Sequence, residues 1–179
     1  MASSDEVEAK RCPKGHEIPS VPRILQTFSL VESDVLCVYV VGSHLWGTCS
    51  KHSDWDLVII TSSAKRTGPA AVNVHKHKLD AWILSMDEYT GFIKDHLMQA
   101  LITVWLPQCF VMKQTINPKI LFEYSREKLA AAVDKMHRRD MEVARKHFIK
   151  SDCRGGLKIV RHCLRQMELA LGIYQSHCI

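Results

Sequence analysis

Two apolar runs, each cut short by small and polar residues, dominate the first third of the chain. "VLCVYVV" (Val35 to Val41) is rich in β-branched residues and stops at Gly42. An unbroken apolar run of this length, ended by a glycine, predicts a strand buried on both faces. "DWDLVIIT" (Asp54 to Thr61) predicts a second strand, closed by the turn-rich "SSAKRTGPAA". "VNVHKHKLDAWILS" (Val72 to Ser85) alternates apolar and polar positions and predicts a third. Arg23 to Val31 carries a short helical pattern.

The period then changes. Ser85-Met86-Asp87-Glu88 reads as a capping box, with Ser85 as N-cap and Glu88 reaching back, and Tyr89, Phe92, Ile93 and Leu97 follow at helical spacing. "ALITVWLPQCFVM" (Ala100 to Met112) is apolar but short, and Pro107 and Gln108 break it, so it reads as buried and no membrane span is expected. Asn117-Pro118 places a cap before a first-turn proline and predicts a long charged helix to about Lys150. After "SDCRGG" a last helix is predicted to about Gln175. Its Leu157, Val160, Leu164, Met167 and Leu171 form one apolar stripe, the side a helix turns to a core.

These elements predict an α/β (α+β) fold: a small mixed sheet, flanking helices and a C-terminal helical hairpin. Residues 1–22 are expected as a flexible arm, 23–112 as the core and 113–179 as the hairpin. The 179 residues suffice for such a core. Charge adds a second asymmetry. Of the net +5, residues 111–179 carry 14 Lys/Arg against 7 Asp/Glu, while residues 1–110 carry 10 against 12. A basic C-terminal third suits a polyanionic partner, or equally a solvated helix face. Seven cysteines without a Cys-x-x-Cys pattern, and no apolar leader, point to a reducing intracellular compartment, cytoplasmic or nuclear. Cys12 and His16 offer half a metal site with no second half.

The chemistry concentrates between the first two strands. Asp54 and Asp56, two apart on a strand, project from one face about 7 Å apart at their Cα atoms. Carboxylates held that close repel unless a cation joins them, and Mg²⁺ is commonly held by one or two carboxylates plus substrate phosphates. Gly42-Ser43 ends the preceding strand, and Gly47 follows. A strand that stops at a glycine and turns into a short helix presents N–H groups and a hydroxyl suited to phosphate. Gly42 and Gly47 have P-loop spacing, but Thr48 and Cys49 stand where that loop needs Lys and Ser/Thr, so the P-loop is rejected.

Together, Gly42-Ser43, Gly47 and Ser53-Asp54-Trp55-Asp56-Leu57 resemble the signature of the DNA polymerase beta-like nucleotidyltransferase superfamily. Trp46-Gly47-Thr48 looks most like its small branch proposed to act in RNA repair. The resemblance implies a catalytic core over 23–112 and a third carboxylate on a neighbouring strand. Asp80 is the acidic residue available on the third predicted strand. Asp54, Asp56 and Asp80 would then bind Mg²⁺ or Mn²⁺ and carry catalysis, with Gly42, Ser43, Gly47 and Ser53 holding the nucleotide. It further implies that Lys158, Arg161 and Arg165, one stripe on the last helix with Arg154 and Glu168, contact nucleotide or acceptor. The expected reaction moves a nucleoside monophosphate from an NTP to a hydroxyl, with RNA the preferred acceptor.

Two other readings stay open: the same chemistry on a protein or small-molecule hydroxyl, and a non-catalytic nucleotide- or RNA-binding module. His75 and His77 have a spacing that metal sites use. Strict alternation along one strand, however, puts Asp80 with Lys76 and Lys78 and the histidines on the opposite face. Phe148, within the basic "RKHFIK", reads as core.

Overall fold

A computed structural model describes residues 18–50, 52–62, 72–76 and 78–177. Cys12 and His16 lie outside the described residues. The chain divides into two compact units, residues 1–91 with 103–120 and residues 92–102 with 121–179.

The first unit is built on a five-stranded mixed sheet. Its strands are β1 (Val35–Val41), β2 (Trp55–Thr61), β3 (Val72–Lys76), β4 (Leu79–Ser85) and β5 (Val111–Gln114), in the order β3-β4-β2-β1-β5. β1 pairs antiparallel with β2 and β5, β3 antiparallel with β4, and β2 parallel with β4. The two unbroken apolar runs supply central strands, and Val38, Tyr39, Ile59 and Ile60 are buried. Helix α1 (Val21–Phe28) buries Ile24, Leu25 and Phe28 and ends at Ser29, whose φ of 55° terminates it in the left-handed region.

The predicted single strand from Val72 to Ser85 is instead a hairpin. Lys78, with φ 64°, turns the chain between β3 and β4. Two-residue hairpin loops need such backbone, usually from Asn or Gly, and "KHK" carries no such signal. The fold-back makes His75 the register partner of Asp80 and Lys76 that of Leu79, so alternation along one strand no longer separates them. His77 lies outside the described residues.

Helix α2 is the short turn Gly42–Leu45, and α3 (Met86–Lys94) follows β4 directly. The capping box forms in both directions: the Ser85 N–H donates to Glu88 Oε2 at 2.8 Å and the Glu88 N–H to Ser85 Oγ at 3.3 Å. Tyr89 on α3 is buried, its hydroxyl 2.6 Å from Thr103 Oγ1, and burial pushes its phenol up to about 12. The Ala100–Met112 run splits between the end of α4 (Met98–Val104) and the start of β5. Among the described residues, no helix is long and apolar enough to cross a membrane.

The second unit carries a C-terminal helical pair, α5 (Arg126–Ile149) and α6 (Cys153–His177). The long helix starts later than Asn117-Pro118 predicted. That signal yields only a 3-10 turn (Pro118–Leu121), with Asn117 Oδ1 accepting from the Lys119 N–H at 3.1 Å. Phe122 packs tilted on the His96 ring, and Tyr124 stacks on His177 at 4.7 Å. Those contacts hold the segment out of the helix, and Ser125 caps α5 by accepting from the Lys128 N–H.

A larger departure concerns α6. The residues it buries are Gly156, Cys163, Gln166, Ala170 and Ile173, whereas Leu157, Leu164, Met167 and Leu171 of the predicted core stripe are exposed. The helices approach through small residues: a Cβ on Gly156 would overlap the Phe148 ring, and Ala144 and Ala170 are both buried. Phe148 packs on Gly156 but stays partly exposed, so it is not the core residue expected.

Candidate active site

The sheet places two of the three predicted aspartates side by side. Asp56 is second in β2 and Asp80 second in β4, and the two are register partners across parallel strands. Such partners lie about 4.8 Å apart and project from the same face. Val41, the last residue of β1, is the antiparallel partner of Asp56 and extends the same row. Trp55 and Leu79, one residue before each aspartate, are buried, while Asp56 and Asp80 are partly exposed. Asp54 immediately precedes β2 and is also partly exposed. Among the described residues, no three His, Cys, Asp or Glu groups stand close enough together to hold one ion. The three carboxylates therefore share one end of the sheet without converging on a point.

The Gly42-Ser43 turn leaves β1 at that same end. Gly42 has φ 64°, and a Cβ there would overlap the Asp56 carboxylate. Its glycine is needed twice, for the backbone and for the close approach of that side chain. The buried Ser43 donates its N–H to Asp56 Oδ2 at 3.4 Å, long for a hydrogen bond to a charged oxygen. The anion seated at the turn is thus the protein's own carboxylate.

Gly47 also has φ 64°, with open space where a Cβ would stand. It closes α2, donating its N–H to the His44 carbonyl at 3.3 Å. The Ser53 hydroxyl accepts the Ser50 N–H at 2.8 Å, and the Ser53 N–H donates to the Ser50 carbonyl at 2.9 Å. Both residues shape the chain between the turn and Asp54.

One member of this site escaped the sequence reading. His44, buried in α2, stacks on Trp55 with ring centroids 3.7 Å apart and planes 9° from parallel. It ties the glycine-serine turn to the strand that carries Asp56. A histidine following Gly-Ser and a tryptophan between two aspartates are visible in the sequence, but only the β1–β2 pairing brings them together.

Lys158, Arg161 and Arg165 belong to the second unit, exposed on α6, and Arg165 pairs with Glu168 at 2.9 Å. Lys78 is exposed at the β3–β4 turn. Cavities of about 500 and 680 Å³ are lined wholly by residues of the second unit and include none of Asp54, Asp56 and Asp80.

The class defined by these elements is a mixed α+β fold with a C-terminal helical pair. No family model matches the chain, and no curated protein does. Among solved structures it is similar to the crystal structure of a nucleotidyltransferase-like protein from Exiguobacterium sibiricum, at 10% identity and a TM-score of 0.38. The alignment covers 82% of this chain and 53% of that one, so this chain spans about half the length of its neighbour.

Proposed function

We propose that this chain is a divalent-metal-dependent nucleotidyltransferase, moving a nucleoside monophosphate from an NTP to a hydroxyl, with RNA as acceptor. The observation that carries the reading is the register pairing of Asp56 with Asp80, at the end of the sheet where Gly42-Ser43 turns away from β1. Two like charges on neighbouring strands are costly unless they serve a cation or a proton. Mg²⁺ and Mn²⁺ take one or two carboxylates together with substrate phosphates, so Asp56 and Asp80 would hold a cation in the row they share, with Asp54 at the same end of the sheet. When bound, such a cation neutralises triphosphate charge and polarises the α-phosphorus.

The chain's own residues account for the rest. Asp80 accepts the proton of the attacking hydroxyl, whose oxygen forms a bond to the α-phosphorus. The bridging bond between that phosphorus and the β-phosphate oxygen breaks, and pyrophosphate leaves with the electron pair. The Ser43 N–H, 3.4 Å from Asp56 Oδ2, would serve an outer phosphate once that carboxylate holds a cation. RNA is favoured as acceptor by the basic C-terminal third of the sequence, with 14 Lys/Arg against 7 Asp/Glu.

Incubation with each α-labelled NTP, Mg²⁺ or Mn²⁺ and a total RNA pool tests the reading. Label should enter RNA and be lost in an Asp56→Ala, Asp80→Ala double variant. Label entering protein would transfer the chemistry to another acceptor, and label indifferent to both substitutions would remove the site.

A further inference from the structure

The exposed stripe on α6 has a period of its own. Leu157, Val160, Leu164, Met167, Leu171 and Tyr174 recur at alternating steps of three and four. A strict 3.5-residue repeat is narrower than the stripe a globular core usually takes, and it is the seam by which helices coil around one another. The helix meets α5 through a different face, centred on Gly156, Cys163 and Ala170. Leu157, Leu164 and Leu171 are consequently 48, 53 and 55% exposed, and Met167 and Tyr174 37% each. The apolar surface continues onto α5 as a groove lined by Leu129 and Val133. A continuous apolar seam about 26 Å long, left open along a helix already packed on its other side, belongs to an interface.

We propose that this seam joins two copies of the chain through antiparallel pairing of their α6 helices. The sequence is self-complementary in that orientation. The register that pairs Leu157 with Tyr174 of the second copy also pairs Val160 with Leu171 and Leu164 with Met167. Each pairing is reciprocated, so the contact closes on a two-fold axis. The same register sets Arg161, flanking the seam, opposite Glu168 of the second copy, and does so twice. An antiparallel seam thus gains two opposite-charge pairs. In a parallel one, Arg161 would face the Gly156 and Cys163 side that α5 covers. Glu168 already pairs with Arg165 on its own helix at 2.9 Å. Both partners of that pair are largely in solvent, so Glu168 is free to sit between the two arginines.

Light scattering and sedimentation of the full chain test this. The wild type should run at twice its 20.4 kDa mass at tens of micromolar. Leu164→Glu should weaken association on the order of a hundredfold, since two central contacts are lost. At dilutions where both proteins are monomeric its unfolding transition should match that of the wild type, because Leu164 is exposed in the monomer. Arg161→Glu and Glu168→Arg should each weaken association about three- to tenfold. The double reversal should recover most of the loss, which a merely apolar contact would not do. A monomeric wild type overturns the proposal, including one that instead takes up a helix of another protein. A Leu164→Glu variant that stays dimeric overturns it too, as does a double reversal no tighter than the single ones.

Discussion

The carboxylate of Asp56 lies over the Cα of Gly42, in space that any side chain at that position would occupy. Strand β2 and the turn after β1 are thereby locked at the row that carries the candidate chemistry. Gly42→Ala should cost about 2–4 kcal/mol, the sum of positive-φ strain and steric overlap. Gly47→Ala, with the same φ and open space, should cost only about 1 kcal/mol. Urea unfolding checks both. A Gly42→Ala, Asp56→Ala double variant should be more stable than the sum of the singles predicts, and simple additivity would deny the contact.

If Asp80 takes the acceptor's proton, Asp80→Asn should lower turnover by about 10²–10⁴-fold while the protein melts normally. Asp56→Ala should abolish metal-dependent nucleotide binding, and chelation should do the same to the wild type. Calorimetric titration of an NTP with and without Mg²⁺ separates the two effects. Unchanged binding after chelation would leave the aspartate row without its proposed role.

The Ser85–Glu88 box caps the helix that follows β4. Ser85→Ala should therefore cost about 1 kcal/mol, and Glu88→Ala a comparable amount. The double variant should cost less than the two singles added, because each removes part of one reciprocal cap. Chemical denaturation of the three variants decides it.

His96 is fully buried, and its Nε2 accepts the Ser125 N–H at 3.1 Å, which requires a neutral ring. Burial lowers its pKa from 6.5, opposed first by the hydrogen bond to the Lys94 carbonyl, with Lys128 pushing down and Asp95 up. His162 is also lowered by burial and by Lys158, against Asp140. A histidine whose folded pKa is depressed gives its full stability above the unfolded value. That stability is lost as pH falls below about 6.5 toward the folded pKa, at no more than about 1.4 kcal/mol per pH unit for each proton. Unfolding free energy should thus drop on mild acidification, and His96→Gln should flatten that slope. An unaltered slope would place the titration elsewhere.

Signals spanning only a few residues were legible without coordinates. The runs at Val35–Val41 and Trp55–Thr61 form the strands expected of them, and Ser85 and Glu88 cap each other as their spacing required. Apolar runs and capping boxes act through covalent neighbours, so the sequence carries their cause directly. By contrast, the β3–β4 turn rests on a lysine at positive φ, which no residue preference announces. Phe122 and Tyr124 delay α5 through rings that are distant in the chain.

By itself the sequence determined the two central strands, the cap and the two acidic positions flanking Trp55, because each follows from a local period or spacing. Only the tertiary structure decided that Asp80 stands beside Asp56, that Gly42 makes room for a carboxylate, and that the leucines of α6 face outward. Those outcomes depend on strand register and on which helix face offers the closest approach. Both are settled by competition among contacts remote in sequence, where small residues let backbones meet and larger apolar ones are left outside.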